Sequence, residues 1–161
     1  MNMPKTALKV GDIAPKFSLP DQDGQIHKLS EAKGHWVLLY FYPKDLTPGC
    51  TAEACGIRDD YSEFRRLKAE VFGVSTDKVA SHRKFADKHA LPFTLLADED
   101  KEVVAAYGVW GKKKFMGREY MGTNRRSFLI GPDGRIRKIY DSVKPALHAR
   151  EVLADLRDLG A

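Results

Sequence analysis

Residues 37–42 form an unbroken run of apolar and aromatic side chains, and this run restricts the fold more than any other part of the chain. It has the length of a strand and contains no charged residue that would have to face water. A strand of this kind is buried on both faces, which is typical of a sheet with helices packed on each side. Pro43 ends the run. The sequence therefore predicts a layered α/β protein.

The rest of the chain alternates short apolar runs with amphipathic segments. An Asp-Gly turn between residues 17–20 and 25–29 predicts an N-terminal hairpin. The other predicted strands are residues 71–75, 93–97, 127–130 and 135–140, and the predicted helices are residues 51–69, 77–90, 99–107 and 145–159. Because strands alternate with helices and then pair antiparallel, we expect a central mixed β-sheet flanked by helices, in a single domain spanning residues 1–161.

Residues 108–123 are the longest stretch without a predicted element. Four glycines, three lysines and several large apolar side chains favour a surface excursion that borders a site. The whole chain has 27 basic and 22 acidic residues, a net charge of +5. We interpret its basic clusters, residues 112–114 and 135–138, as solvated turns and strand edges. No nucleic-acid motif accompanies them, so we expect no nucleic-acid partner.

The sequence also indicates where such a protein works. Residues 1–12 lack the apolar core of a signal peptide, and no apolar run approaches the roughly 18 residues that span a membrane. Two cysteines are too few for a disulfide scaffold. We therefore expect a cytoplasmic protein with no membrane partner.

Cys50 and Cys55 are the only cysteines of the chain. Thr47, Pro48 and Gly49 indicate a turn into a helix, which places Cys50 in the first helical turn. Free backbone N–H groups and the positive end of the helix dipole favour a thiolate there. A second thiol five residues later indicates redox chemistry at sulfur.

A thiol attacks as its thiolate, and the helix N-terminus supplies only about 0.3–1 kcal/mol toward the anion. A cationic hydrogen-bond donor adds about 1.5–3 kcal/mol, so we expect an arginine or lysine to reach Cys50. Arg125 and Arg126 open the predicted strand 127–130. Adjacent strand residues point to opposite faces, so only one of them can face Cys50. The spacing does not choose between them, and both could instead be exposed strand-end arginines.

Three neighbours of Cys50 each have two interpretations. Thr47 could cap the helix or hydrogen-bond the thiolate and its substrate, and the two roles are compatible. Pro43 has no N–H to compete for a small polar substrate, or it simply ends the strand. Glu53 has a charge that suits a helix start, yet the same charge would oppose a nearby thiolate.

The spacing of the two cysteines limits how they can bond. Five positions on an α-helix separate the Cα atoms by roughly 8–9 Å, whereas a disulfide usually requires less than about 7 Å. A bond between Cys50 and Cys55 therefore requires the first helical turns to unwind. The alternative is that Cys55 is a small buried apolar residue of the helix.

Residues 42–51, with the sequence Tyr-Pro-Lys-Asp-Leu-Thr-Pro-Gly-Cys-Thr, resemble the active-site loop of peroxiredoxins. The gap to Cys55 and the residues that follow it resemble the Q-type branch, also called bacterioferritin comigratory protein. The likeness extends over nearly the whole chain, through residues 11–17, 73–77 and 107–111. The cysteine loop is the specific motif, and the other stretches support it together.

The resemblance implies a thioredoxin-like fold with an added N-terminal β-hairpin, and a peroxidase that needs no metal or organic cofactor. Cys50 would attack a peroxide and become a sulfenic acid, and Cys55 would condense with it to an intramolecular disulfide that thioredoxin or a similar dithiol reduces. The family's Arg-x-Ser/Thr-Phe pattern falls on Arg125. Thr47 would hydrogen-bond the peroxide and Pro43 would shield the pocket. We expect a monomer.

Other functions fit the sequence less well. A thioredoxin-type disulfide carrier normally has a C-x-x-C pair, and the gap here is four residues. A redox sensor or holdase that uses the cysteines as a switch has only the basic charge in its favour. A metal site would need ligand spacing that the five histidines do not show. His82 and His89 lie seven residues apart on one face of a predicted helix, where we expect them at the surface.

Overall fold

The computed structural model describes residues 7–161, so part of the segment 1–12, for which no signal peptide is predicted, lies outside the described residues. The strands are β1 Ser18–Pro20, β2 Ile26–Lys28, β3 Trp36–Phe41, β4 Ala69–Ser75, β5 Thr94–Ala97, β6 Trp110–Phe115, β7 Arg118–Thr123, β8 Arg126–Ile130 and β9 Ile136–Tyr140. The helices are α1 Pro48–Asp59, α2 Tyr61–Arg66, α3 Val79–His89, α4 Glu102–Ala106 and α5 His148–Asp158.

The central sheet has five strands in the order β5-β4-β3-β8-β9. β3 runs parallel to β4, and β4 runs parallel to β5, whereas β8 is antiparallel to both β3 and β9. Every residue of β3 is buried, as expected for the central strand of a covered sheet. The predicted mixed sheet is confirmed.

Alternate residues of β3 enter two separate cores, because successive strand side chains point to opposite faces. Trp36, Leu38 and Tyr40 pack against apolar side chains of α1, α2, α3 and α5. Val37, Leu39 and Phe41 pack against α4 and against the N-terminal segment that contains β1. α1, which carries both cysteines, therefore lies on the first face.

Two parts of the chain differ from the sequence-based expectation. The predicted helix 51–69 begins earlier, at Pro48, and is divided into α1 and α2 at Asp60. Proline fits the first helical turn because its missing N–H is not needed there. Asp60, with φ −103° and ψ 10°, leaves helical geometry, yet the apolar spacing continues across the break, so periodicity alone does not reveal it.

Residues 108–123, left without a predicted element, form the hairpin of β6 and β7, a two-stranded sheet separate from the central one. Its turn contains Met116 and Gly117, both with positive φ. Elsewhere, β1 and β2 pair antiparallel as predicted. No helix within residues 7–161 is long and apolar enough to cross a bilayer.

Candidate active site

Cys50 lies at the start of α1, at the end of the loop that leaves β3. Pro48 and Gly49 are the first two helical residues, so Cys50 is the third, beside the free N–H groups of the first turn. Its side chain is only 1% exposed. Cys55 is half-buried further along the same continuous helix, and both cysteines are free thiols. A thiolate at Cys50 would therefore be held inside the protein, where it needs a partner.

Arg125 supplies that partner. Its Nη2 donates to the Cys50 sulfur at 3.3 Å, and its Nη1 donates to Glu53 Oε1 at 2.6 Å. Arg126 points the other way, donates to the Gly108 carbonyl at 3.0 Å and is 1% exposed. The alternative that both arginines are exposed is wrong. Of the two, Arg125 is the one that faces the sulfur.

Glu53 is buried beside this contact and is 1% exposed. Burial raises the pKa of Glu53 from 4.5 to about 7, against the opposing effect of Arg125. Its Oε2 has no hydrogen-bond partner among the described residues. The sequence suggested only a helix-start charge that would oppose the thiolate. In the structure the carboxyl instead holds the guanidinium that contacts Cys50.

Gly49 makes room for the guanidinium. A Cβ atom at this position would lie 3.0 Å from Arg125 Nη2, closer than ordinary van der Waals contact. Arg125 cannot swing away freely, because its other nitrogen is bonded to Glu53. The absence of a side chain at Gly49 therefore permits the contact between Arg125 and Cys50.

Thr47 occupies the N-cap position of α1, but within the described chain its side chain makes no capping hydrogen bond. Its hydroxyl donates instead to the Lys44 carbonyl at 2.7 Å. Capping by the side chain, one of the two roles considered for Thr47, is therefore not observed. Because the hydroxyl hydrogen is used, its oxygen remains able to accept a hydrogen bond from a ligand.

Thr47 and Pro43 line a cleft of about 320 Å³ between the loop and the β6–β7 hairpin. The other lining residues are Lys44, Thr76, Trp110, Lys113, Tyr120, Met121, Gly122 and Thr123. A more apolar cavity, of about 240 Å³, is lined by Val37 at the opposite end of β3. We place the candidate substrate site at the cleft beside the β6–β7 hairpin, because this cleft, unlike the cavity at Val37, adjoins the loop that leads to Cys50.

Lys113 is a further cation beside the site. It donates to the Thr123 carbonyl at 2.9 Å. Burial lowers the pKa of Lys113 below its usual value, and the Arg125 charge lowers it further. The sequence placed this lysine only in an unassigned surface segment.

The loop between β3 and α1 is fixed to α3 by a buried pair, Asp45 and His82. His82 Nδ1 lies 2.6 Å from Asp45 Oδ2, and Nε2 lies 2.9 Å from the Leu96 carbonyl, to which it must donate. Asp45 also accepts from the Tyr42 hydroxyl at 2.6 Å and from the Ser81 hydroxyl at 2.8 Å. The expectation of a surface His82 is wrong, since this residue is fully buried.

Asp45, Asp77 and His82 also form the one group within residues 7–161 whose ligand atoms lie close enough together, within 4.8 Å, for a metal ion. These atoms are already engaged: Asp77 Oδ2 accepts the Asp45 amide at 2.9 Å and the Ser75 hydroxyl at 2.7 Å. We therefore interpret the group as a structural connection between the loop and α3.

Known proteins are similar to this chain over almost its whole length. Residues 10–139 match the AhpC/TSA family. The chain is 52% identical over 151 residues to peroxiredoxin Bcp of Escherichia coli, covering 94% of this chain and 97% of that protein. Peroxiredoxin Bcp of Bacillus subtilis is 45% identical over 152 residues, with the same coverage of 94% and 97%.

Solved structures are similar over almost the whole chain. A mutant of PrxQ from Xylella fastidiosa superposes with a TM-score of 0.91 at 33% identity, covering 98% of this chain and 100% of that one. The bacterioferritin comigratory protein of Xanthomonas campestris, solved in work on its alkyl peroxide reduction activity, gives 0.87 at 34% identity, with coverage of 98% and 100%. The thioredoxin-like fold is confirmed.

Proposed function

Because this chain belongs to the AhpC/TSA family, as a peroxiredoxin of the Q-type or Bcp branch, we propose that Cys50 is its peroxide-reducing thiol and Cys55 its resolving thiol. The protein is a thiol-dependent peroxidase. The observation that carries the assignment is the 3.3 Å contact of Arg125 with the Cys50 sulfur. Cys55 has no comparable cationic partner among the hydrogen bonds of the described residues.

In the first step the Cys50 thiolate attacks one oxygen of the peroxide. A sulfur–oxygen bond forms and the O–O bond breaks, so that sulfur is oxidised to a sulfenic acid and the peroxide is reduced. The leaving oxygen takes a proton and departs as water or an alcohol. Arg125 stabilises the thiolate and the charge that develops on the peroxide. The Thr47 oxygen accepts the peroxide O–H, and Pro43 shields the cleft.

In the second step Cys55 attacks the sulfenic sulfur. A disulfide forms, and the hydroxyl group leaves with a proton as water. The two cysteines lie on one continuous helix, α1, where the spacing of five residues holds their Cα atoms too far apart for a disulfide. The first turns of α1 must therefore unwind, which also brings the buried Cys50 out of its pocket.

A dithiol protein of the thioredoxin type completes the cycle by reducing the disulfide to two thiols. This step requires a reducing compartment, for which we propose the cytoplasm. Both thiols belong to one chain, so a monomer built as one domain is sufficient. Alkyl hydroperoxides are proposed substrates alongside hydrogen peroxide, supported by the similarity to the Xanthomonas campestris protein.

Stopped-flow oxidation of the reduced protein by hydrogen peroxide, followed by mass determination, tests this cycle. One equivalent of peroxide should yield a product two hydrogens lighter in which both thiols are blocked. Cys55→Ser should reduce one equivalent and then stop with a thioredoxin system. Rapid turnover by Cys50→Ser, or full turnover by Cys55→Ser, would contradict the assigned roles.

Arg125→Ala and Arg126→Ala are a matched pair for the same measurement. Loss of a charge-assisted hydrogen bond worth about 1.5–3 kcal/mol should slow the Arg125 variant about 10- to 150-fold. Arg126→Ala removes a buried side chain that does not contact the sulfur, so it should lower stability and leave the rate of the folded protein nearly unchanged. A greater slowing by Arg126→Ala would refute the assignment of Arg125.

A further inference from the structure

The β6–β7 hairpin ends in an exposed apolar tip. Phe115 is 66% exposed and Met116, the next residue, is 86% exposed. The register pairs Phe115 with Arg118, so Met116 and Gly117 form the two-residue turn. Exposed single apolar residues are common on proteins. Two consecutive large ones at the end of a projecting hairpin are a feature that the core of the protein does not require.

The backbone conformation of the turn also indicates that Met116 is not there for the stability of the hairpin. Met116 has φ 51° and Gly117 has φ 79°. Two-residue turns with positive φ at both positions are normally built from Asn-Gly or Asp-Gly, because other side chains are strained there. Methionine therefore adds nothing to the stability of the turn while exposing an apolar side chain. A contact outside this chain would account for it.

Basic side chains surround the tip. Lys112, Lys114 and Arg118 are exposed. Together with Lys113, the segment 110–123 has four basic residues and one acidic residue, Glu119, a net charge of +3. A partner that fits this surface is therefore negatively charged and has an apolar layer that can receive Phe115 and Met116.

Two further partly exposed apolar side chains of the hairpin lie at the active-site cleft. Tyr120 and Met121 are 48% and 51% exposed, and both line the cleft together with Thr47. The hairpin thus connects its tip to the mouth of the site. Anything bound at the tip would lie close to the cleft.

We propose that the hairpin binds the surface of an anionic phospholipid bilayer. Phe115 and Met116 enter the boundary between headgroups and acyl chains, and Lys112, Lys114 and Arg118 contact the lipid phosphates. This revises the expectation of no membrane partner, which rested on the lack of a spanning segment. Binding at the surface needs no such segment.

A bilayer suits this surface better than a protein partner does. The apolar residues lie exposed at the end of a hairpin, where a deformable layer can surround them, whereas protein interfaces require a complementary shape. Lysine, three of the four basic residues here, is depleted at protein–protein interfaces and is effective toward anionic membrane surfaces. The inference concerns binding alone and does not depend on the proposed catalytic cycle.

Sedimentation of the reduced full-length protein with lipid vesicles tests the proposal. We compare vesicles of phosphatidylcholine alone with vesicles that also contain phosphatidylglycerol. Three exposed basic residues should make binding to the anionic vesicles about 100-fold tighter, and added salt should weaken it. Equal binding to both kinds of vesicle, or none to the anionic ones, would overturn the proposal.

Matched variants separate the hairpin from general effects. Phe115→Ser with Met116→Ser should weaken binding by about tenfold or more, whereas Ile26→Ser, at a position that is also exposed, should not. Lys112→Glu with Lys114→Glu should abolish binding, whereas Lys84→Glu with Lys88→Glu, the same charge change on the exposed side of α3, should weaken it only slightly. Equal losses from the α3 pair would show non-specific attraction and refute the hairpin site.

Two further measurements test whether the hairpin tip instead binds a second copy of this chain or the reductant. If the tip instead joined two copies of this chain, gel filtration would show a dimer that Phe115→Ser with Met116→Ser dissociates. If the tip instead bound the reductant, the variant with Phe115→Ser and Met116→Ser would slow turnover with thioredoxin and leave vesicle binding intact. Either result would overturn the bilayer proposal. We expect a monomer whose peroxide reduction in solution is unchanged by the tip substitutions.

Discussion

The effect of Gly49 on the stability of the protein can be separated from its effect on the oxidation of Cys50. Gly49→Ala places a Cβ 3.0 Å from Arg125 Nη2, so the guanidinium must move away from Cys50. Alanine in a helix is otherwise favoured over glycine by about 0.5–1 kcal/mol. We therefore expect slower oxidation of Cys50 by peroxide, by about tenfold, without a loss of thermal stability. Stopped-flow oxidation and thermal unfolding measure the two effects.

Gly56→Ala on the same helix is the control. Its Cβ would approach only the Ala146 carbonyl oxygen, at an ordinary 3.8 Å. The same gain in helix stability is expected there, with no change in the rate at which Cys50 is oxidised. If both variants slowed the reaction equally, helix rigidity rather than displacement of Arg125 would be the cause.

Glu53 should make the stability of the protein depend on pH. Its pKa is about 7 in the folded protein against 4.5 as an ordinary value, so the folded state binds the proton more tightly. The resulting stabilisation is fully present below pH 4.5 and is lost as the pH rises through 7. The change in the free energy of unfolding is about 3 kcal/mol at most. Urea unfolding across this range, with wild type and Glu53→Gln, should show a flatter profile for the variant.

Glu99→Gln removes a carboxyl from an exposed position and is the control for charge alone. It should retain the wild-type decline in stability between pH 4.5 and 7. Identical profiles for wild type and Glu53→Gln would mean that the buried carboxyl is not the group responsible.

Among the strands and helices, the sequence predicted best those that are marked by a local pattern of residues. β3 is continuous and apolar, so it could be predicted together with the two cores on its faces. The β6–β7 hairpin could not, because consecutive lysines replace the usual alternation and Met116-Gly117 replaces the usual turn residues. The hydrophobic periodicity does not reveal the division at Asp60, because the apolar residues of α1 and α2 lie on one shared face.

The same distinction holds within the site. Cys50, Thr47 and Pro43 belong to one short segment, residues 43–50, so their proximity follows from their spacing in the sequence. The choice of Arg125 over Arg126 depends on how β8 is placed beside α1, and only the family pattern indicated it. The pair of Asp45 and His82 joins residues 37 positions apart, and no local signal marks it.

The connection between the loop and α3 predicts a coupled effect on stability. Asp45→Ala removes the carboxylate that pairs with the buried His82 and should lower the free energy of unfolding by about 3–5 kcal/mol. His82→Leu removes the imidazole from Asp45, which then keeps only the hydroxyl groups of Tyr42 and Ser81 as side-chain donors. In the double variant neither side chain is left without the other, so this variant should lose less than the sum of the two single losses. Urea unfolding of the four proteins gives this coupling energy.

Asp141→Asn provides a comparison. It replaces the half-exposed carboxylate that forms an ion pair with Arg126. Combined with Asp45→Ala, it should give additive losses because the two sites share no partner. Additive losses for Asp45→Ala and His82→Leu as well would contradict the idea that these two residues act as one connection.

At the scale of the whole molecule, the proposed catalytic cycle requires part of the folded structure to open. α1 buries Cys50, Ala54 and Ile57 in the core that also contains α5, so unwinding its first turns exposes part of that core. The disulfide closes a loop of only a few residues and therefore restricts the unfolded chain little. Oxidation should then destabilise this protein, although a disulfide usually stabilises the chain that contains it.

We expect the protein oxidised by one equivalent of peroxide to unfold several degrees below the reduced protein, since about 2 kcal/mol corresponds to roughly 4–8 °C at this size. Thermal unfolding with and without a dithiol reductant measures the difference, and Cys55→Ser treated in the same way should not show it. Faster amide hydrogen exchange should appear in α1, while the buried β3 stays protected. A higher melting temperature on oxidation would mean that the disulfide forms without unwinding α1.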